Sequence, residues 1–118
     1  MNLHHIAMII SSEECLEFYK SLGFSEAFRK ERENDTIVLM EGNGTELEVF
    51  IDPMHVARPI PEPLGLRHFA LTVDGRLEDE INRLKGIQTT PILEDWKGTR
   101  FVFIKDPDGN DVELRKHE

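Results

Sequence analysis

The chain has 118 residues and a formal net charge of −9, from 14 Lys plus Arg against 23 Asp plus Glu. That length suits one domain of about 100 to 200 residues, and the negative charge repels nucleic acid and anionic lipid, so neither is an expected partner. No run of about 18 apolar residues offers a membrane span, the N-terminus lacks the basic segment and apolar core of a signal peptide, and the lone Cys15 excludes an internal disulfide or a thiolate zinc cluster. A cytoplasmic protein is expected.

Residues 3–10 are apolar and rich in Ile and read as a strand, with His5, Ala7 and Ile9 on one face and His4, Ile6, Met8 and Ile10 on the other. The near-continuous apolar run predicts that both faces are covered. Ser11 followed by Glu14 forms a capping box, and Cys15, Phe18, Tyr19 and Leu22 recur at helical spacing until Gly23, which predicts a helix over 12–22. Strands are predicted over 24–33, 36–41 and 45–52, separated by turns at Asn34-Asp35 and at Gly42-Asn43-Gly44. The order is strand, helix and a three-stranded meander, or βαβββ.

Residues 53–65 hold Pro53, Pro59, Pro61 and Pro63 and read as a linker. The order then begins again. Residues 66–73 repeat the opening strand 63 residues on, so that His5 maps to His68, Ser11 to Asp74 and Gly23 to Gly86. A helix over 75–85 turns Leu77, Ile81 and Leu84 inward, and strands follow at 88–94, 99–105 and 111–116, the last two joined by the turn Asp106-Pro107-Asp108-Gly109. A period this long is too large for a solenoid and gives two copies of one small module, about 1–52 and 66–118. The tail 116–118 is expected to fray.

Each copy ends in a strand with one glutamate, Glu48 in the first and Glu113 in the second. If the first and last strands of a module are neighbours, His5 and Glu48 project from one face, as do His68 and Glu113. Two neutral imidazoles and two carboxylates suit a divalent ion of intermediate softness, namely nickel, zinc, cobalt, manganese or iron, and they balance its charge. Any one of the four alone is more often structural or solvated; matched register in two copies favours a site. His4 maps to Arg67 and reads as structural, and His55 and His117 have no repeat partner. Glu46 and Asp111, two residues before the glutamates, are the next candidates as ligands or as supports of the ligands.

These residues resemble the vicinal oxygen chelate superfamily, which comprises the glyoxalases, bleomycin-resistance proteins and extradiol dioxygenases. The resemblance runs through LHHIAMII at 3–10, FYKSLGF at 18–24, LEVF at 47–50, GLRHFALTVD at 65–74 and FIKDPDGNDVEL at 103–114, and Arg58-Pro59 with the following GLRH is most similar to small bacterial glyoxalase I-like proteins. It implies an α+β fold of two βαβββ modules forming one domain, whose mixed sheets curve around a metal site, and commonly a homodimer. It implies His5, Glu48, His68 and Glu113 as metal ligands. It also implies a lyase or isomerase acting on a small substrate with vicinal oxygens, such as a hemithioacetal, through a metal-stabilised enediolate, with Glu113 as base and Glu48 as second candidate.

Other activities within the superfamily are an epimerase or an extradiol-type dioxygenase, the latter disfavoured by the second carboxylate Glu48; a non-catalytic drug-binding protein is the alternative from another class. Glutathione-specific members carry an arginine four residues after the first histidine and an asparagine four after the first glutamate. Here those places are Ile9 and Asp52, which argues against glutathione as the thiol. Arg29, Arg67, Lys97 and Arg100 are candidate cations for an anionic substrate, and Trp96 is a candidate lid or rim aromatic.

Overall fold

A computed structural model of the chain describes residues 1–55 and 57–117. It resolves into two compact units, Met1–Ala57 and Arg58–Glu118, each an α+β arrangement of one helix on a four-stranded mixed sheet. The boundary falls within the proline-rich stretch. Among the described residues no helix is long and apolar enough to cross a membrane.

The first unit runs β1 (Ile6–Ile10), α1 (Glu13–Ser21), β2 (Ser25–Glu31), β3 (Thr36–Gly42) and β4 (Thr45–Ile51). The sheet order is β1-β4-β3-β2, so the meander folds back to lay β4 parallel to β1, with Ala7 opposite Glu48. Alternation then sorts the side chains. Ile10, Val38, Met40, Leu47, Val49 and Ile51 are buried with Cys15, Leu16, Phe18 and Tyr19 of α1 and form the core. The other face stays open, since Ile9, Phe28 and Leu39 are 37% to 54% exposed. The expectation of two covered faces for β1 is therefore not met within this unit.

Helix α1 begins one residue later than the capping box placed it: Ser12, not Ser11, accepts the Cys15 N–H at 3.2 Å. At the other end Gly23, at φ +103°, donates its N–H to the Lys20 carbonyl, and Asn43 of the β3–β4 turn donates to the Leu22 carbonyl at 3.0 Å. Gly42 in that turn sits so close to the helix end that a Cβ there would lie 2.3 Å from the Gly23 carbonyl oxygen.

The second unit runs β5 (His68–Val73), α2 (Leu77–Arg83), β6 (Leu93–Glu94), β7 (Arg100–Lys105) and β8 (Asp111–Lys116), in sheet order β5-β8-β7-β6. Strand β8 lies parallel to β5 with Ala70 opposite Glu113, the same register as Ala7 and Glu48. Leu77, Leu84, Val102, Ile104, Val112 and Leu114 form its core. Two expectations need correction. The strand over 88–94 survives only as Leu93–Glu94 and an isolated bridge from Thr89 to Ile104, because Pro91 has no N–H to continue the ladder. Helix α2 starts with Arg76 as N-cap and no capping side chain, so Asp74 does not play the part assigned to it.

The turn between β7 and β8 is held by Asp106, which is 4% exposed. Its Oδ1 accepts the N–H groups of Asp108 and Asn110, at 2.9 and 2.8 Å, and its Oδ2 accepts the Asn110 amide at 2.8 Å. Arg58 ties the start of the unit to this turn by donating its N–H to the Asp108 carbonyl at 2.9 Å.

Candidate metal centre

In both units the histidine stands at the start of the first strand and the glutamate in the middle of the last, on the sheet face opposite the core. His5 precedes β1 by one residue and His68 is the first residue of β5. Each lies two residues before the alanine that pairs with the glutamate, so Ala7 and Ala70 leave the space through which the ring meets the carboxylate. His5 Nε2 is 3.8 Å from Glu48 Oε2, and His68 Nε2 is 3.6 Å from Glu113 Oε1. The expected pairs thus form within each unit, both too long for a hydrogen bond.

Two donors bound about 2.1 Å from one ion stand roughly 3.0 to 3.4 Å apart at angles of about 90° to 110°. Each pair, one imidazole and one carboxylate, is a few tenths of an ångström wider than that. The donor set therefore fits a divalent transition metal. Among the described residues no group of three or more His, Cys, Asp or Glu side chains is placed to hold an ion.

The two pairs have different surroundings. His5 and Glu48 have side chains 39% and 31% exposed, on the wall of a cavity of about 370 Å³ that Phe28, Leu39, Glu41 and Glu46 also line. His4 does not take the face opposite His5 that the alternation predicted. It lies before the ladder begins, is exposed, and places its Nδ1 2.8 Å from His5 Nδ1 and 3.8 Å from Glu46. Arg32 lies over the Phe50 ring, 5.6 Å from its centroid, and is held by Asp35. Asp35 foremost, and Glu48 more weakly, stabilise the Arg32 cation.

His68 and Glu113 are drier, with side chains 24% and 10% exposed. The Phe103 ring meets His68 edge-on, with centroids 4.8 Å apart, and the buried Nδ1 of His68 has no hydrogen-bond partner among the described residues. Packing, rather than an acceptor on Nδ1, orients this ring. Glu113 Oε2 accepts from Arg115 Nη1 at 2.9 Å, Arg115 Nη2 donates to Asp95 Oδ2, and the guanidinium lies 5.4 Å from the Phe101 centroid. Burial pushes the Asp95 carboxyl up, but Arg115 and the N–H groups of Thr99 and Lys97 outweigh it and hold Asp95 below its usual range. Glu113 and then Asp95 stabilise the Arg115 cation.

The other candidates fall outside the pairs. Asp111 is bound by Lys105 Nζ at 2.7 Å. Arg29 grips Glu13 and Glu26, Arg67 faces Glu62 at 3.5 Å, and Arg100 binds Glu78. His55 pairs with Asp52 at 3.2 Å, and Trp96 is 90% exposed at the tip of the turn after β6. Arg115 was missed in the sequence, although its place two residues after Glu113 in a strand puts both on one face.

Residues 2–114 match the model of the Glyoxalase/Bleomycin resistance protein/Dioxygenase superfamily. The chain belongs to this superfamily. A glyoxalase family protein from Enterococcus faecalis is similar in structure, with 35% identity, a TM-score of 0.86 and coverage of 97% of this chain and 96% of the other. The lactoylglutathione lyase of Agrobacterium tumefaciens (23% identity, TM-score 0.71, 98% and 92% covered) and the fosfomycin resistance protein FosX of Listeria monocytogenes (16%, 0.77, 100% and 94%) share the fold. No curated protein matches the sequence.

Proposed function

We propose that this protein is a divalent-metal-dependent lyase or isomerase of glyoxalase type, acting in the cytoplasm on a small hemithioacetal-like substrate with neighbouring oxygens. The observation that carries the reading is the pair of half-sites, each with His and Glu at one register on one face. His5, Glu48, His68 and Glu113 would hold one nickel, zinc, cobalt, manganese or iron ion. When bound, such an ion supplies Lewis-acid polarisation of a substrate carbonyl.

The residues of the chain do the rest. Glu48 and Glu113 are the carboxylates available to take the proton from the carbon beside that carbonyl and return it to the neighbouring carbon. Phe103 against His68, with Phe101 against Phe103, gives the second pair apolar surroundings that limit water. Ile9 and Asp52 offer no cation to a glutathione carboxylate, so the thiol partner is a different one. We propose a homodimer, which sedimentation at several concentrations checks by giving twice the 13.6 kDa chain mass.

The test is to load the protein with each metal and follow hemithioacetals of methylglyoxal with several thiols. Isomerisation of at least one, lost in both Glu48→Gln and Glu113→Gln, is the expected result. Tight binding of such compounds without turnover would replace the enzyme with a small-molecule binding protein.

A further inference from the structure

We infer that Arg115 divides the work between the two glutamates, pinning Glu113 in place and leaving Glu48 as the carboxylate that moves to take the substrate proton. This rests on the metal-dependent reading above and deepens it, since repeat symmetry alone treats the two glutamates as equals.

Glu113 is held at one oxygen by an arginine. Oε2 accepts from Arg115 Nη1 at 2.9 Å, while Oε1 faces His68 at 3.6 Å. Arg115 is itself fixed by Asp95 and lies over Phe101. Asp95 is fixed in turn, because its Oδ1 accepts the N–H groups of Lys97 and Thr99, at 2.8 and 3.0 Å. To swing towards a substrate, Glu113 would have to break a charge-assisted bond in a setting where its side chain is 10% exposed and that of Asp95 9%.

Glu48 shares the histidine approach, with His5 Nε2 at 3.8 Å, and acts on Arg32 only through space; no arginine among the described residues is hydrogen-bonded to it. Among the described residues its carboxylate accepts no hydrogen bond, its side chain is 31% exposed, and it lines the 370 Å³ cavity of its unit. The place matching Arg115, two residues after the glutamate, is Phe50, which has nothing to donate. A base that must leave one partner and reach a C–H bond needs torsional freedom, and a ligand that must keep an ion in place needs the reverse. In the step itself Glu48 accepts the proton of the C–H bond next to the carbonyl. The electron pair of that bond forms a C=C bond as the carbonyl π pair moves onto oxygen. The former carbonyl oxygen then takes the proton of the neighbouring hydroxyl, whose oxygen forms the new C=O bond while the C=C pair takes the proton back from Glu48 at the former carbonyl carbon; Glu48 is restored, and no oxidant or reductant is consumed.

The experiment is a cobalt(II) titration of the metal-free full chain by calorimetry, for wild type, Glu48→Gln, Glu113→Gln, Arg115→Met and Arg115→Lys, with circular dichroism as the folding control. Expected are a loss of affinity of about 100-fold or more for Glu113→Gln and about 10- to 100-fold for Arg115→Met, partly recovered in Arg115→Lys, against less than about tenfold for Glu48→Gln. Deuterium exchange of the substrate C–H, followed by NMR, is expected to stop in Glu48→Gln while its metal stays bound. Equal losses in the two glutamate variants, or an Arg115→Met that holds cobalt as the wild type does, would overturn the division of roles while leaving the metal site standing. A wild type that takes up no cobalt would overturn the site and this inference together.

Discussion

In the first unit the arginine that grips two carboxylates lies on the helix side of the sheet, where Arg29 of β2, opposite the buried Val38, binds Glu13 and Glu26. In the second it lies on the face opposite the core, where Arg115 binds Glu113 and Asp95. The backbones are copies, with matching strand order and matching register between the first and last strands. One clamp joins helix to sheet, and the other fixes a candidate ligand. A duplicated fold therefore need not give duplicated chemistry: backbone register sets where the two glutamates stand, and the side chain two residues on sets how free they are.

The turns that deliver the glutamate strands differ in the same way. The first unit relies on close backbone contact at Gly42 and the second on hydrogen bonds to Asp106. Gly42→Ala brings a Cβ to 2.3 Å from a carbonyl oxygen at φ +156°, and is expected to cost about 3 kcal/mol in urea unfolding. Asp106→Ala removes three hydrogen bonds and strands two backbone N–H groups, and is expected to cost about 2 kcal/mol. If Asp106→Ala also weakens metal binding while Gly42→Ala leaves it intact, the drier half-site is the one more dependent on its turn; the opposite order would reverse that ranking.

The smallest expected effect comes from the clamp on the helix side. Glu13 and Glu26 are held below their usual value of 4.5, chiefly by their hydrogen bonds to Arg29. Below that value the unfolded chain takes up protons that the folded chain resists. The stabilisation is therefore present above about pH 4.5 and is lost as the pH falls through the lowered folded values. Arg29→Met is expected to lower stability at pH 7 by less than about 1 kcal/mol, as exposed ion pairs do, and to flatten the acid limb of a melting-temperature profile. A limb as steep as in wild type would assign that acid loss to other carboxylates.

The fold was legible because the repeat carries its own check. Histidine, helix stop and glutamate return in order, and the structure agrees with the modules to within a few residues at most element ends. Sequence pattern failed where a local rule met a boundary. Alternation set His4 opposite His5, but the ladder starts at Ile6 and His4 lies beyond it. The strand over 88–94 was broken by a proline counted as part of it. Ser11 and Ser12 are adjacent hydroxyl residues, and their spacing does not say which one caps. For the site, both His and Glu pairs were legible from register alone. Arg115 was visible by the same i, i+2 logic that singled out Glu46 and Asp111; its link to Asp95 joins residues 20 apart in sequence, and no periodicity reports that.

The account stands on whether the two half-sites hold metal. Protein purified without a chelating tag, and its His68→Ala variant, should be assayed for bound metal by elemental analysis. Near-stoichiometric transition metal in the wild type, falling sharply in the variant, is the predicted result. A wild type that stays free of metal after reconstitution with nickel, cobalt, zinc and manganese would contradict it.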